Sequence, residues 1–414
     1  MMSDLPLQDL KVVDLSWVVA GPAIGRVLAD YGASIVRVES ATRVETARVV
    51  GPFHGRKMGA ENSVLYGNVN AGKLGLALDL SNEQARAVVL DLVRWADVLI
   101  EAFSPGVMKR WGLDYETVRQ VNPELIMLST SLMGATGPYS TFAGYGNIGA
   151  AVSGFQNLVG WPDRPPHGPL GPYTDYVGPR FSLVMLLAAL DHRRRTGEGC
   201  NIDVSQAEAG IHFLAPQVAD YFAQGHVAER IGNRDLQMAP HGVYACRDRE
   251  DGDATRVTAS WVAIAVRDDA EWQKLATLIG SVELAQDERF SSLADRLHQA
   301  ALLDEIVETW TKLATAQEVE ATLQAEGIPA HVVATSADTL ADPQLQFREH
   351  FIELDHPLHG KTVVERSRYK LSRTPAEVKR AAPTFGQDKD YILRDILHYD
   401  KDRIAALETA GVFK

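Results

Sequence analysis

Short apolar runs alternate with amphipathic stretches along the first half of the chain, and the earliest of them sets the frame. Leu10 to Leu15 reads as a strand, Ser16 to Ala20 as a loop, Gly21 to Tyr31 as a helix, and Ser34 to Val38 as a second strand ending in Glu39. Strand, helix and strand within about thirty residues make a βαβ unit, so the sheet begins parallel. The alternation continues through a short apolar stretch, Leu76 to Leu80, and a helix to Ala96 for which Ser81 and Gln84 form a capping box. Asp97 to Ala102 is a further strand, Tyr115 to Val121 a helix stopped at Asn122-Pro123, and Leu125 to Ser131 the next strand. The pattern predicts an α/β fold with a Rossmann-like parallel sheet.

Farther on, Pro179 to Arg195 reads as a helix that is apolar almost all round (Phe181, Leu183, Val184, Met185, Leu186, Leu187, Leu190), hence buried. Proline at a first helical position uses no N–H the helix needs, so Pro179 marks the start. Arg193, Arg194 and Arg195 complement the negative end of its dipole and require no ligand. Asn201 to Ser205 is a short strand and Gln206 to Phe222 a helix. The pattern changes after Gln224. Strand-like stretches (Val243 to Arg247, Arg256 to Val266) precede helices at Asp269 to Ile279, Arg296 to Leu313 and Ala316 to Glu326, which reads as a smaller α+β domain over residues 226–335. Residues 1–225 form the first part of the large domain and residues 336–414 a return segment, with Tyr369 to Leu371 extended and a helix from Lys401 to Ala410.

Three places carry candidate chemistry. The loop Ser16-Trp17-Val18-Val19-Ala20-Gly21-Pro22 stands where a doubly wound fold puts a ligand, outside the carboxyl ends of its strands. Lys73, set among small residues in Asn70-Ala71-Gly72-Lys73-Leu74-Gly75, suits an anion contact, although a solvated surface lysine is the plainer account. The stretch His167 to Arg180 (HGPLGPYTDYVGPR) holds one acid, Asp175, between two tyrosines just before the predicted helix. Unpaired N–H groups and the dipole there favour an ionised carboxylate, which suits a nucleophile; a simple cap or turn residue fits the same position. Gly144, Gly146 and Gly149 match Gly-x-Gly-x-x-Gly, but they follow the loop Gly134 to Pro138, well past the strand, and the next acid, Asp163, sits in the turn Trp161 to Pro166. Nicotinamide binding is therefore not expected.

Composition narrows the class. With 414 residues and 46% hydrophobic positions the chain can bury the cores of two domains. Its net charge of -13 argues against nucleic-acid and membrane-surface partners. No run approaches a membrane span, and the opening MMSDLPLQDL has neither the basic start nor the apolar stretch of a signal peptide. Two cysteines, Cys200 and Cys246, make neither a disulfide framework nor a zinc site, so no metal is expected. A cytoplasmic protein is the expectation.

Several longer stretches, in this order, resemble the class III CoA-transferase family, which includes formyl-CoA:oxalate and carnitine CoA-transferases. They are LKVVDLSWVVAGPAIGRVLADYGASIVRVE, NAGKLGLALDL, ADVLIEAFSPGVMKRWGL, GPYTDYVGPRFSLVMLLAAL and HRRRTGEGCNIDVSQAE, then PHGVYAC, GIPA and ADPQ. The resemblance runs nearly end to end. It implies an interlocked homodimer, two subunits threaded like linked rings, each with a large domain built from both chain ends. It also implies a soluble enzyme with coenzyme A entering as an acyl-CoA co-substrate and a carboxylic acid as acceptor. The family's catalytic aspartate falls on Asp175, and its CoA contacts on Val19, Ala20, Arg37, Gly72, Lys73, Leu74, Ala102, Phe103 and Arg110, with Met133 and Gly134 in a further contact region. The implied chemistry is covalent, through an aspartyl mixed anhydride and an aspartyl-CoA thioester. The related 2-methylacyl-CoA racemases resemble Gly-His-Asp where this chain has Gly144-Tyr145-Gly146, and some family members are silent partner subunits. Oxalate enzymes look to carry glutamine at the place of Val19 and a glycine run at Arg234 to Ala239, so the expected acceptor here is a larger or partly apolar acid.

Overall fold

The computed structural model describes residues 5–250, 257–280 and 282–414. The start of the N-terminal segment and Arg256 of an expected strand lie outside the described residues. The chain divides into two compact units, one of Met1–Asn157, His167–Ala228 and Pro343–Lys414, the other of Leu158–Pro166 and Glu229–Asp342.

The first unit is organised by six parallel strands: β1 (Lys11–Asp14), β2 (Ser34–Glu39), β3 (Leu74–Ala77), β4 (Val98–Glu101), β5 (Ile126–Ser131) and β6 (Cys200–Ser205). Their spatial order is β3-β2-β1-β4-β5-β6, the doubly wound order, with the reversal between β1 and β4. Alternate residues serve opposite faces because the strand period is two. Val13, Val36, Val38, Leu99 and Met127 pack with Val88, Val89, Leu92 and the late residues Ile392, Leu393, Ile404 and Leu407. Val12, Ile35, Val98, Ile100, Ile126 and Leu128 pack with Ile24, Leu28, Leu183, Leu186 and Leu190. Burial on both faces explains the near-continuous apolar runs of these strands.

Three helices frame the carboxyl side of the sheet: α1 (Ala20–Asp30), α2 (Gly146–Val152) and α3 (Tyr173–Thr196). The start of α3 differs from the sequence expectation. Helix begins six residues ahead of Pro179, which lies inside it, and Asp175 occupies the first turn. Local contacts hold that early turn: the Asp175 N–H donates to the Pro172 carbonyl at 3.0 Å, and Phe155 packs edge-on to Tyr173 with 4.9 Å between centroids. Pro179 has no N–H for the Asp175 carbonyl one turn back, a loss the helix tolerates so near its end. At the other end Gly197 takes φ 74°, and its N–H closes on the Arg193 carbonyl at 2.8 Å. Only one side of α3 is buried in the single chain, since Val184 is 65% exposed and Met185 and Leu187 are about half exposed.

Smaller departures have local causes. Asn82, not Ser81, caps the next helix (Glu83–Trp95): its side chain accepts from the Gln84 N–H at 2.9 Å, while Ser81 bonds Asp79. The predicted Gln206 to Phe222 helix is two, Gln206–His212 and Ala215–Gln224, because Pro216 opens the second. In the return segment the extended element is not at Tyr369; it is the hairpin Phe351–His356 with Gly360–Glu365.

The second unit carries a three-stranded antiparallel sheet in which Trp261–Ala265 lies between His241–Ala245 and Ala330–Val332. Helices Asp269–Leu278, Ala300–Thr311 and Ala316–Ala325 bury Trp272, Leu303, Val307, Val319 and Leu323 against it. Gln299 separates the Ala300 helix from Leu293–His298, so the single helix expected from Arg296 is broken there. Among the described residues no helix is long and apolar enough to cross a membrane.

Candidate active site

A cavity of about 560 Å³ opens where β1, β4 and β5 end. It therefore sits at the reversal of strand order, where the crevice of an open α/β sheet receives ligands. The loop after β1 gives it Trp17, Val18 and Ala20, the loop after β4 gives Ala102 and Phe103, and the end of β5 gives Ser131 and Leu132. Asp175 closes one wall beside Gln206 and Tyr145.

Asp175 is 3% exposed, and its Oδ2 is buried with no hydrogen-bond partner. Burial raises its pKa from 3.8 to about 6, against the Gly146 N–H and the Gln206 side chain, which favour the ionised form. Ionisation is thus opposed by desolvation more than it is helped by the helix start, contrary to the expectation from position alone. A carboxylate in a cavity wall, with one oxygen neither solvated nor hydrogen-bonded, is a strong nucleophile once ionised.

The glycines of the Gly-x-Gly-x-x-Gly match pack closely here. A Cβ on Gly146 would stand 2.5 Å from the Pro172 carbonyl oxygen and 2.6 Å from the Asp175 nitrogen, and one on Gly149 would stand 2.2 Å from Thr174 Oγ1. These positions let α2 press against the first turn of α3 and fix Asp175 from behind. Thr174, fully buried, donates to the Gly146 carbonyl at 3.2 Å or to Gln206 Oε1 at 3.3 Å.

The start of α1 meets the same cavity without a side-chain cap. Val19 accepts from the Ala23 N–H at 2.8 Å, while the N–H groups of Val19, Ala20 and Gly21 find no acceptor among the described residues. Such groups attract negative charge. Gly21 is required at this turn because a Cβ would meet Ser16 Cβ at 2.2 Å.

The expected CoA contacts separate into distinct sets. Ala20, Ala102 and Phe103 line the cavity with Asp175. Val19 lies behind the wall and Val18 takes its place on it. Met133 and Gly134 follow the lining residue Leu132, and Arg110 is exposed on the short helix Val107–Trp111, whose Val107 and Trp111 line the cavity. Arg37 and Lys73 do not reach either wall. Both are fully buried and bonded to protein: Lys73 Nζ donates to Asp14 Oδ2 at 2.8 Å, Asn70 Oδ1 at 2.8 Å and the Pro22 carbonyl at 2.9 Å, which occupies its three hydrogens. Arg37 bonds Glu45 Oε1 at 2.5 Å and the Ser16 carbonyl. Burial pulls the Lys73 pKa down to about 8, and the flanking acids hold Arg37 charged.

A second cavity of about 400 Å³ joins the ends of β1, β2 and β3 through Leu15, Val38 to Ser40 and Leu78 to Ser81. β2 thus contributes its last two residues, Val38 and Glu39, and β3 the residues just past its end, with neither Arg37 nor Gly72 to Leu74 in the lining. Trp17, Arg43, Phe103 and Trp111 line both cavities. Phe103 meets Trp17 and Trp111 edge-on at 5.5 Å and 5.1 Å, and the Arg43 guanidinium lies 5.5 Å from the Trp17 ring. Sequence reasoning missed Trp17, Arg43, Trp111, Glu45 and Gln206. Trp17 stood in the singled-out loop; Arg43 and Glu45 carried no local signal.

A buried carboxylate in the wall of a cavity at the switch point of a doubly wound sheet is the arrangement of an α/β enzyme. Residues 7–389 match the family described as CoA-transferase family III, and the chain belongs to that family. It is a class III CoA-transferase using CoA thioesters. The chain is 31% identical over 98% of its length and 98% of the relative's to a succinyl-CoA–D-citramalate CoA-transferase of Chloroflexus aurantiacus. It is likewise 31% identical to a succinate–glutarate CoA-transferase of Agrobacterium fabrum, over 94% of this chain and 96% of that one. The crystal structure of a CAIB/BAIF family protein from Brucella suis superposes with a TM-score of 0.85 at 32% identity, covering 95% of this chain and 100% of the other.

Proposed function

We propose that this transferase moves CoA from an acyl-CoA to a carboxylic acid through two covalent intermediates on Asp175. The carboxylate attacks the thioester carbonyl, the C–S bond breaks, and CoA leaves as thiolate with a mixed anhydride on the enzyme. The thiolate then attacks the aspartyl carbonyl of the anhydride, expelling the donor acid as carboxylate and leaving aspartyl-CoA thioester. An acceptor carboxylate attacks that thioester and releases the thiolate again. Attack of the thiolate on the acceptor's acyl carbon completes the new acyl-CoA and returns Asp175 as carboxylate. No net proton moves, in keeping with a cavity whose described lining includes no histidine. Each tetrahedral oxyanion needs donors that are already oriented, which the free N–H groups of Val19, Ala20 and Gly21 supply.

The observation that carries this reading is Asp175 Oδ2, buried without a partner in the wall of the cavity. The second cavity suits the nucleotide end of CoA, with the pantetheine arm passing the Trp17, Phe103 and Trp111 rings and Arg43 meeting an anionic group. The relatives include enzymes named for succinate, glutarate and D-citramalate and one named for oxalate, and it is the Val18, Leu132 and Phe142 wall that supports an acceptor larger than oxalate and partly apolar. The exposed outer side of α3 and Phe222, 83% exposed, suit cover by a second copy in an interlocked homodimer. Asp175→Ala is expected to abolish transfer while leaving CoA binding, and hydroxylamine or borohydride after donor addition to label only the peptide from Tyr173 to Arg180. Normal turnover by the variant, or a label elsewhere, refutes the assignment.

A further inference from the structure

The loop between β1 and α1 is fastened at unusual expense. Val18 has φ 67°, in the left-handed region that β-branched residues avoid. Its N–H donates to Glu45 Oε2 at 2.8 Å, and Glu45 Oε1 accepts from Arg37 Nη2 at 2.5 Å. Arg37 also bonds the Ser16 carbonyl and lies 3.5 Å from Asp14 Oδ1, while the Ser16 N–H donates to Asp14 at 3.0 Å. Lys73 joins Asp14 to the Pro22 carbonyl inside the first turn of α1. Two acids and two bases, all buried and summing to no net charge, therefore pin the loop at Ser16, Val18 and Pro22. The N–H groups they leave free are those of Val19, Ala20 and Gly21, beside the cavity into which Asp175 faces. Buried ion pairs are weak evidence for stability, but they fix geometry where partners are matched, as they are at both Glu45 oxygens and at Lys73 Nζ; Arg37 Nε is left without a partner.

We propose that Glu45 is a positioning residue for transfer: its carboxylate holds the Val18 peptide in the left-handed turn that keeps the Val19, Ala20 and Gly21 N–H groups open to the oxyanion. Glu45 touches no substrate and acts through Val18. The inference rests on Asp175 as nucleophile.

Glu45→Gln tests it, because Arg37 and Val18 are served by different carboxylate oxygens and the amide replaces one of them with an NH2 that cannot accept. The charged guanidinium takes the remaining oxygen and the Val18 N–H is released. Glu45→Asp, which keeps the charge but shortens the reach, is the second variant should the amide fail to fold. The expected result is a fall in kcat on the order of 100-fold, the scale for a lost oxyanion donor, with KM for the acyl-CoA within about threefold. Adding Val18→Gly to either variant should recover at least about tenfold in kcat, since glycine takes positive φ without a hydrogen bond to hold it. A purely structural Glu45 would lower the thermal midpoint, move KM with kcat and gain nothing from the glycine. Folded variants that keep kcat within about threefold, or that glycine fails to rescue, overturn the proposal. Hydroxylamine labelling of wild-type Asp175 is run alongside; its absence would instead remove the nucleophile on which the proposal stands.

Discussion

Replacing Asp175 by asparagine should make the protein inactive and more stable, and the gain should depend on pH. The folded carboxyl binds its proton more tightly than the unfolded one, because burial raises its pKa from 3.8 to about 6. That difference corresponds to about 3 kcal/mol of stability forgone once the group is ionised. The penalty is absent below about pH 3.8, grows as pH rises between 3.8 and 6, and is complete above about 6. Asparagine keeps the size and one acceptor oxygen but carries no charge, so it escapes the penalty. Its advantage over wild type should approach about 3 kcal/mol near pH 7 and fall to about half that near pH 5. Urea unfolding of both proteins at the two pH values measures it, with equal m-values as the condition for comparison. A variant that is no more stable at pH 7, or equally favoured at both pH values, would refute the claim that the nucleophile is held in an environment hostile to its charge.

Other outcomes follow from the same geometry. The dependence of kcat/KM on pH should rise through an apparent pKa of about 6 as Asp175 ionises, a limb absent from donor binding measured by calorimetry. Gly146→Ala should lower kcat by roughly 100-fold, because its Cβ would stand 2.5 Å from the Pro172 carbonyl and displace Asp175; slower hydroxylamine labelling would register this. Arg43→Ala should raise KM for the acyl-CoA roughly tenfold and flatten its salt dependence, as loss of a charge-assisted contact requires. His356 lies in a stack of three imidazoles, 4.5 Å from His359, which is 4.2 Å from His54, and burial with these neighbours lowers its pKa from 6.5 to about 4. Stability should therefore decline as pH falls from about 6.5 towards 4, and His356→Phe, which retains a ring but not a proton site, should flatten that decline in thermal unfolding.

How much of this could be read from the chain depended on the distance over which each feature is encoded. The strands were legible because each is a short apolar run, and the helix Tyr115–Val121 stands where its pattern put it, since Asn122-Pro123 ends it locally. The α3 boundary was not, because Pro179 fits a first helical position as well as a seventh, and the contacts at its early turn, Phe155 on Tyr173 and α2 behind Asp175, form only in the fold. Asp175 came into view through family resemblance; its position alone also fitted a cap.

The charged residues show the limit most clearly. Lys73 among small residues and Arg37 near a strand end look the same in sequence whether they face a phosphate or an internal acid. Their partners decide, and Lys73 meets Asp14 across 59 positions. The Gly-x-Gly-x-x-Gly match is the opposite case: once it is set aside as a cofactor motif, its glycines are left without a reason. Close packing behind Asp175 is that reason, and it shares a cause with the dinucleotide motif, which also needs glycine where backbone must approach something closely. Both cases imply that a glycine or a lysine near a switch point marks a place of tight approach or buried charge, and that only the fold determines whether a ligand or the protein itself stands opposite.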